Sequence, residues 1–264
     1  MTPRLGASPN GHGDPPQATE AIEQLVSLSR LLGRDHALVL HGGGNTSVKV
    51  RVKNLLGEEE TLLYVKGSGA SLEDVTAASF SPVRLDAVLP LLRLDDLDTP
   101  TLLDACRVRM ARADAPAPSV ETLLHAALPY RFVAHTHADS VLAVLDTPHP
   151  QRHIAAAFGD TVRTVPYRRS GFQLAKACAQ EILHLDARHT GLLLLHHGLF
   201  TFGDTARQAH ARMLDLVRQA EAHLRRQGAW ELAQDTAGEA PPPHEFATLR
   251  HAICRAAGSP LLLT

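Results

Sequence analysis

Apolar side chains recur at three- and four-residue steps from Thr19 to Gly33: Ile22, Leu25, Val26 and Leu32, with Ser29 on the same face. This spacing predicts a helix, with Thr19 as a cap and Gly33 as its stop. From Asn45 to Val52 the step changes to two, and Thr61–Lys66 is an apolar run; both predict strands. Pro90 to Pro100 reads as a polar, acidic connection, followed by a helix from Thr101 to about Arg112. Phe132–His137, Thr161–Val165 and Gly191–His197 are short apolar runs, with helical patterns at Ser140–Leu145 and Gln173–Leu185 between them. A long amphipathic helix is predicted from about Thr205 to Arg226. Residues 1–18, rich in Pro and Gly, read as a mobile tail. Residues 236–243 read as a linker and 244–258 as a last helix. Interleaved helices and strands without long polar gaps predict one α/β domain over 19–235, with 236–264 as an appendage.

Composition narrows this picture. The 264 residues are 44% hydrophobic and 20% charged with a net charge of −2, which excludes a disordered chain and gives no basic field for nucleic acid. Cys106, Cys178 and Cys254 form no CxxC pair, which suits a reducing cytosol. No apolar run is long enough to span a membrane and no apolar signal core is present, so a soluble cytoplasmic protein is expected. Sixteen histidines are the compositional oddity, and only four of the 26 cations are lysines, so each lysine is worth locating.

Three segments carry candidate chemistry. In Phe132-Val-Ala-His135-Thr136-His137-Ala138-Asp139, residues two apart on a strand face the same way, so His135 and His137 project together. They suit a metal as two ligands, or form ordinary hydrogen bonds. A third imidazole is available at the end of Leu192-Leu-Leu-Leu-His196-His197-Gly198, where adjacent positions diverge and only one histidine can join the pair. Three histidines with an open fourth position form the catalytic type of zinc site. His41-Gly42-Gly43-Gly44-Asn45-Thr46-Ser47 and Lys66-Gly67-Ser68-Gly69-Ala70-Ser71 are small-residue turns next to strands, read as anion cradles or as plain turns. Ala117-Pro118-Ser119-Val120-Glu121-Thr122 places a capping Ser119 ahead of Glu121, an acid that helix dipoles also favour in a first turn.

The order GGGNTS, KGSG, PSVETLLH, HTHAD, VPYRRSG and LLLLHHGLFTFG resembles the class II aldolase/adducin family over roughly residues 20 to 235. Its best-known members cleave fuculose 1-phosphate and rhamnulose 1-phosphate. The triple glycine and PSVETLLH…HTHAD variants look most like the aldolase half of aldolase/short-chain-dehydrogenase proteins. The resemblance implies a three-layer α/β/α sandwich around a mainly antiparallel sheet, and a homotetramer with active sites between subunits. Periodicity alone does not imply antiparallel strands. By motif, His135, His137 and His197 match the zinc ligands, and Glu121 the catalytic acid/base. Gly44, Asn45, Ser47, Ser68, Gly69 and Ser119 match phosphate contacts. Tyr167 matches a tyrosine lent to the neighbouring subunit's site. His196 is then a packed or supporting residue.

Departures from the family pattern are also present. Val120 replaces a second serine before the glutamate, and the tyrosines are Tyr64, Tyr130 and Tyr167 only, with none near the C-terminus. No GxGxxG fingerprint occurs. The implied reaction is reversible cleavage of a ketose 1-phosphate to dihydroxyacetone phosphate and an aldehyde. It would run through a zinc-stabilised enediolate, with Mn2+ or Co2+ as alternative metals. Competing readings are a pentulose-phosphate 4-epimerase, in which aspartate takes the Glu121 slot, a non-catalytic adducin-like oligomeric binding module, and a zinc hydrolase.

Overall fold

The computed structural model describes residues 16–231 and 243–258. The expected tail, except its last three residues, and the 236–243 linker, except Pro243, lie outside them. The chain divides into a compact unit ending at Leu224 and a second unit, Arg225–Thr264. In chain order the elements are α1 (Pro16–Gly33), β1 (Asn45–Lys53), β2 (Glu59–Lys66), β3 (Phe80–Arg84), α2 (Leu85–Val88), α3 (Thr99–Arg107) and α4 (Thr122–Ala127). They continue with β4 (Phe132–Thr136), α5 (Asp139–Leu145), α6 (Pro150–Phe158), β5 (Val162–Val165), α7 (Phe172–Ile182), β6 (Gly191–Leu194), β7 (Gly198–Gly203), α8 (Ala206–Arg226) and α9 (Pro243–Ala257).

All seven strands form one sheet in the order β3-β2-β1-β4-β7-β6-β5, antiparallel throughout except between β5 and β6. Alternation along the strands creates two apolar layers. Val48, Val50, Phe132, Ala134, Leu193 and Leu199 face α1, α5, α6 and α8. Leu63, Val133, Leu192, Leu194, Phe200 and Phe202 face α3, α4 and α7. With helices on both faces this is the three-layer α/β/α arrangement, built on a mainly antiparallel sheet.

Several boundaries differ from the sequence pattern for physical reasons. Helix α1 begins at Pro16, since proline fits a first helical turn. Strand β3 escapes the pattern because it is five residues long and contains Pro82, which is tolerated because β3 is an edge strand. Strand β7 escapes it because every residue is buried, so no alternation marks it. The acidic connection holds a short 3-10 helix, Leu89–Arg93, and α6 is an added helix opened by Pro150. Cys106 and Cys178 are buried as free thiols. In the second unit α9 is a largely exposed helix, and Arg225 lies 3.9 Å over the Trp230 ring. No helix among the described residues is long and apolar enough to cross a membrane.

Candidate metal centre and its two clefts

The pairing register gathers the candidate residues at one end of the sheet. Strand β4 is antiparallel to both β1 and β7, so its C-terminal end lies beside their N-terminal ends, with Asn45 and Phe200 both opposite His135. Strand β2 is antiparallel to β1, so the 66–71 turn emerges at the same end. A bridge between Gly67 and Pro118, with Ser68 N–H donating to Ala117 O at 3.0 Å, ties that turn to the segment leading into α4.

At this end His135, His137 and His197 converge, each offering a ring nitrogen within 4.8 Å of the others. His135 is buried and stacks on Phe200, with centroids 4.1 Å apart. Its Nδ1–H donates to Leu199 O at 2.9 Å, which leaves the Nε2 lone pair directed at His137 Nε2, 3.0 Å away. Burial lowers the pKa of His135 to about 3 and also lowers that of His137, so both rings are neutral and able to bind a cation. His137 lies one residue beyond the end of β4, not on the strand, yet still faces the pair.

The choice between the adjacent histidines is made by the backbone. His196 has φ 56° and turns outward, half-exposed, onto Asp146 Oδ1 at 2.9 Å, so it is not a packed residue. His197 turns inward. Gly198, at φ 157°, allows β7 to start there: an added Cβ would lie 2.4 Å from Thr136 O and 2.9 Å from His137 Cδ2.

Glu121 Oε1 lies 3.2 Å from His197 Nε2 and 3.4 Å from His135 Nε2. Burial acts to raise the carboxyl pKa, but the adjacent His135 and His197 outweigh it and hold the group below the usual carboxylate range. Glu121 sits at the N-cap of α4, one residue before the helix, where Ser119 Oγ accepts its backbone N–H at 3.2 Å. Behind it, on α4, His125 is fully buried, with Nδ1 2.8 Å from Ser47 Oγ and Nε2 without a hydrogen-bond partner.

Two clefts open from the histidine cluster and share His137 and Val120. The smaller, about 210 Å3, is lined by Gly42–Asn45, Lys66–Gly69, Ser119 and Glu121 among others. It thus brings together Gly44, Asn45, Ser68, Gly69 and Ser119. Gly44 has φ 65°, and an added Cβ would lie 2.9 Å from His135 O, so only glycine fits the close approach to β4. Ser47 is not part of this cleft: it is fully buried beneath α4, with its hydroxyl on His125. The expected phosphate contact at Ser47 is therefore corrected to a buried tether, because the strand carries Ser47 about 7 Å inward from Asn45.

Lys66 is a member of the cleft without an assigned role in the sequence reading. Its ammonium donates to Gly42 O at 3.1 Å and Ala70 O at 2.6 Å, joining the two glycine turns and leaving one N–H. As one of only four lysines, next to a GSG turn, it carried a signal that composition alone could have raised. The larger cleft, about 600 Å3, is lined by Thr99, Val120, His137, Tyr167, Arg168, Arg169, Ser170, His196 and His197. Tyr167 is more than half exposed at its rim, edge-on to His196 with centroids 6.0 Å apart.

Residues 23–224 match the model of the class II aldolase and adducin N-terminal domain family. A protein named an uncharacterized oxidoreductase, YuxG of Bacillus subtilis (strain 168), is 34% identical over 209 residues, 79% of this chain and 30% of its own length. The chain therefore spans about a third of that relative. The N-terminal class II aldolase domain of a conserved protein from Thermoplasma acidophilum superposes with a TM-score of 0.72 at 36% identity, covering 85% of this chain and all of that domain. An L-fuculose 1-phosphate aldolase shares the fold with a TM-score of 0.56 at 14% identity, over 89% of this chain and 96% of that enzyme. The chain belongs to the class II aldolase and adducin family.

Proposed function

We propose that the protein is a cytoplasmic, metal-dependent aldolase that reversibly cleaves a ketose 1-phosphate into dihydroxyacetone phosphate and an aldehyde. The observation that carries this reading is the cluster of three imidazoles, two of them, His135 and His197, against the Glu121 carboxylate, beside a small polar cleft. His135, His137 and His197 would hold one divalent cation, zinc or alternatively manganese or cobalt, with the fourth position open. When bound, such an ion supplies Lewis acidity toward carbonyl and hydroxyl oxygens.

The remaining work belongs to the chain's own groups. In the condensing direction Glu121 accepts a proton from the hydroxymethyl carbon of dihydroxyacetone phosphate, and that carbon then forms the new bond to the aldehyde carbon. The proton needed at the aldehyde oxygen comes from the phenol of Tyr167, and cleavage retraces the same path. Gly44, Asn45, Ser68, Gly69 and Ser119 would hold the phosphate with backbone N–H groups, hydroxyls and an amide, and Lys66 adds a cation. Tyr167 stands exposed at the rim of the larger cleft, and a homotetramer with active sites between subunits is part of the same reading. No Schiff-base lysine is needed, and Glu121 in the position where epimerases carry aspartate favours aldol chemistry.

The test is incubation of the zinc-loaded protein with dihydroxyacetone phosphate in heavy water, following the hydroxymethyl protons by NMR. Stereospecific loss of one proton, abolished by chelator, is the expected result. Absence of exchange in a protein shown to contain one metal per chain would overturn the proposal.

A further inference from the structure

The two clefts beside the histidines differ in charge. The smaller holds one cation, Lys66, already engaged by two carbonyls. The larger is edged by two consecutive arginines, Arg168 and Arg169, on the loop between β5 and α7. Among the described residues, Arg168 makes one hydrogen bond, donating to Tyr167 O at 2.9 Å, and Arg169 makes no hydrogen bond or ion pair. The acids nearby are used elsewhere: Asp146 by His196 at 2.9 Å, Asp96 by Gln173 at 2.6 Å and Asp98 by the N–H of Thr101 at 2.8 Å. Elsewhere on this protein arginines find carboxylates, as in Arg163–Glu181 at 2.6 Å and Arg188–Asp186 at 2.8 Å.

Two consecutive arginines lining one cleft repel each other's charge and favour an anion bound there, which guanidiniums grip with paired N–H donors. The hydroxyls of Ser170 and Thr99 line the same cleft and add neutral donors. Because the clefts share His137 and Val120, a ligand spanning the histidine cluster places one end in each. The smaller cleft fits the phosphate of the dihydroxyacetone unit, so the other end, the part released as the aldehyde, lies against Arg168 and Arg169.

We infer that the aldehyde half of the substrate carries an anionic group, a carboxylate or a phosphate, held by Arg168 and Arg169 at the far side of the metal centre. This inference rests on the aldolase reading and adds to it the class of the second substrate. An uncharged aldehyde would leave both guanidiniums facing only water.

The experiment condenses dihydroxyacetone phosphate with glyceraldehyde 3-phosphate and with succinic semialdehyde, each compared with an uncharged aldehyde of similar length, glyceraldehyde and butanal. At least a tenfold preference in kcat/KM for an anionic member is expected, and which one is preferred distinguishes phosphate from carboxylate. In the double variant Arg168→Gln/Arg169→Gln the anionic-to-neutral ratio falls at least tenfold, mainly through KM. A ratio near one in the wild type, or an unchanged ratio in the variant, overturns the inference. An unchanged ratio together with an altered oligomeric mass would assign the arginines to a subunit contact instead.

Failure of the aldolase reading has its own signature, the absence of proton exchange into dihydroxyacetone phosphate. In that case calorimetric titration with succinate and 3-phosphoglycerate decides. Binding at least tenfold weaker in the double variant sustains the anion site, and equal binding overturns it.

Discussion

Ser47→Ala separates what the motif implies from what the structure contains. As a phosphate contact, Ser47 would be nearly silent in stability and its loss would raise KM for a phosphorylated substrate. In the structure it is fully buried, and its hydroxyl bonds His125 Nδ1 at 2.8 Å. His125 is buried as well, and its Nε2 already has no hydrogen-bond partner. Removing the hydroxyl strands the second ring nitrogen in a place that water does not reach. A buried polar group left without its partner costs about 1–3 kcal/mol. In a domain of this size that corresponds to a melting temperature lower by about 2–12 °C.

The volume removed is one oxygen atom, so the effect is one of polarity and not of packing. The assay is scanning calorimetry of the metal-loaded protein together with KM for a ketose 1-phosphate. The expected result is a clear fall in Tm with KM changed less than threefold. A tenfold rise in KM at unaltered Tm would return Ser47 to the smaller cleft and refute the burial argument.

Three further outcomes follow from the same geometry. Glu121→Gln should lower proton exchange into dihydroxyacetone phosphate by about 10²–10⁴-fold, the usual contribution of a positioned acid/base, while elemental analysis still finds one metal per chain; retained exchange removes Glu121 from its role. Gly198→Ala drives a Cβ to 2.4 Å from Thr136 O and 2.9 Å from His137 Cδ2. Zinc affinity should fall by roughly 10–100-fold, as when groups that orient ligands are altered, and wild-type affinity in a chelator competition would contradict this. For the metal-free protein, burial holds His125 and His135 down to about 3. The unfolded chain binds those protons near pH 6.5, so the stability this contributes is full above that pH and is lost as pH falls from about 6.5 toward 3. Urea midpoints should therefore drop steadily from pH 7 to 5, and a flat profile would show that these rings are not neutral.

The sequence made much of this site legible because its spacing maps directly onto strand geometry. HTH on a strand end brings two imidazoles together, and a buried run ending in HHG supplies a third. Strand alternation could not say which of His196 and His197 turns inward, because that depends on φ 56° at His196 and on the room left by Gly198, and only the family resemblance singled out His197. Nor could it separate Asn45 from Ser47. Both lie on the same face of β1, but the cleft ends at the strand's first residue, and two residues further in that face is covered by α4. Such an edge is set by packing between distant segments, to which a local pattern is blind. The strands β3 and β7 were hidden for the opposite reason, since a proline on an edge and complete burial both erase alternation.

The antiparallel register gives the site its two-sided character. Antiparallel neighbours bring the C-terminal ends of β4 and β2 beside the N-terminal ends of β1 and β7, so two kinds of loop meet at one edge. The glycine turns before β1 and after β2 pack close to the sheet and present backbone and small side chains, which suits a compact, preformed cradle. The loop after β5 comes from the far edge of the sheet, where the only parallel pair leads into α7, and it reaches the histidines with long arginine side chains. The first cleft is therefore narrow and nearly neutral, and the second is wide, exposed and cationic. A cradle built from backbone is hard to retune by substitution, whereas Arg168 and Arg169 can be exchanged without disturbing a strand. On this architecture the phosphate side would be the constant part of recognition, and the 167–170 loop the part that decides which aldehyde is accepted.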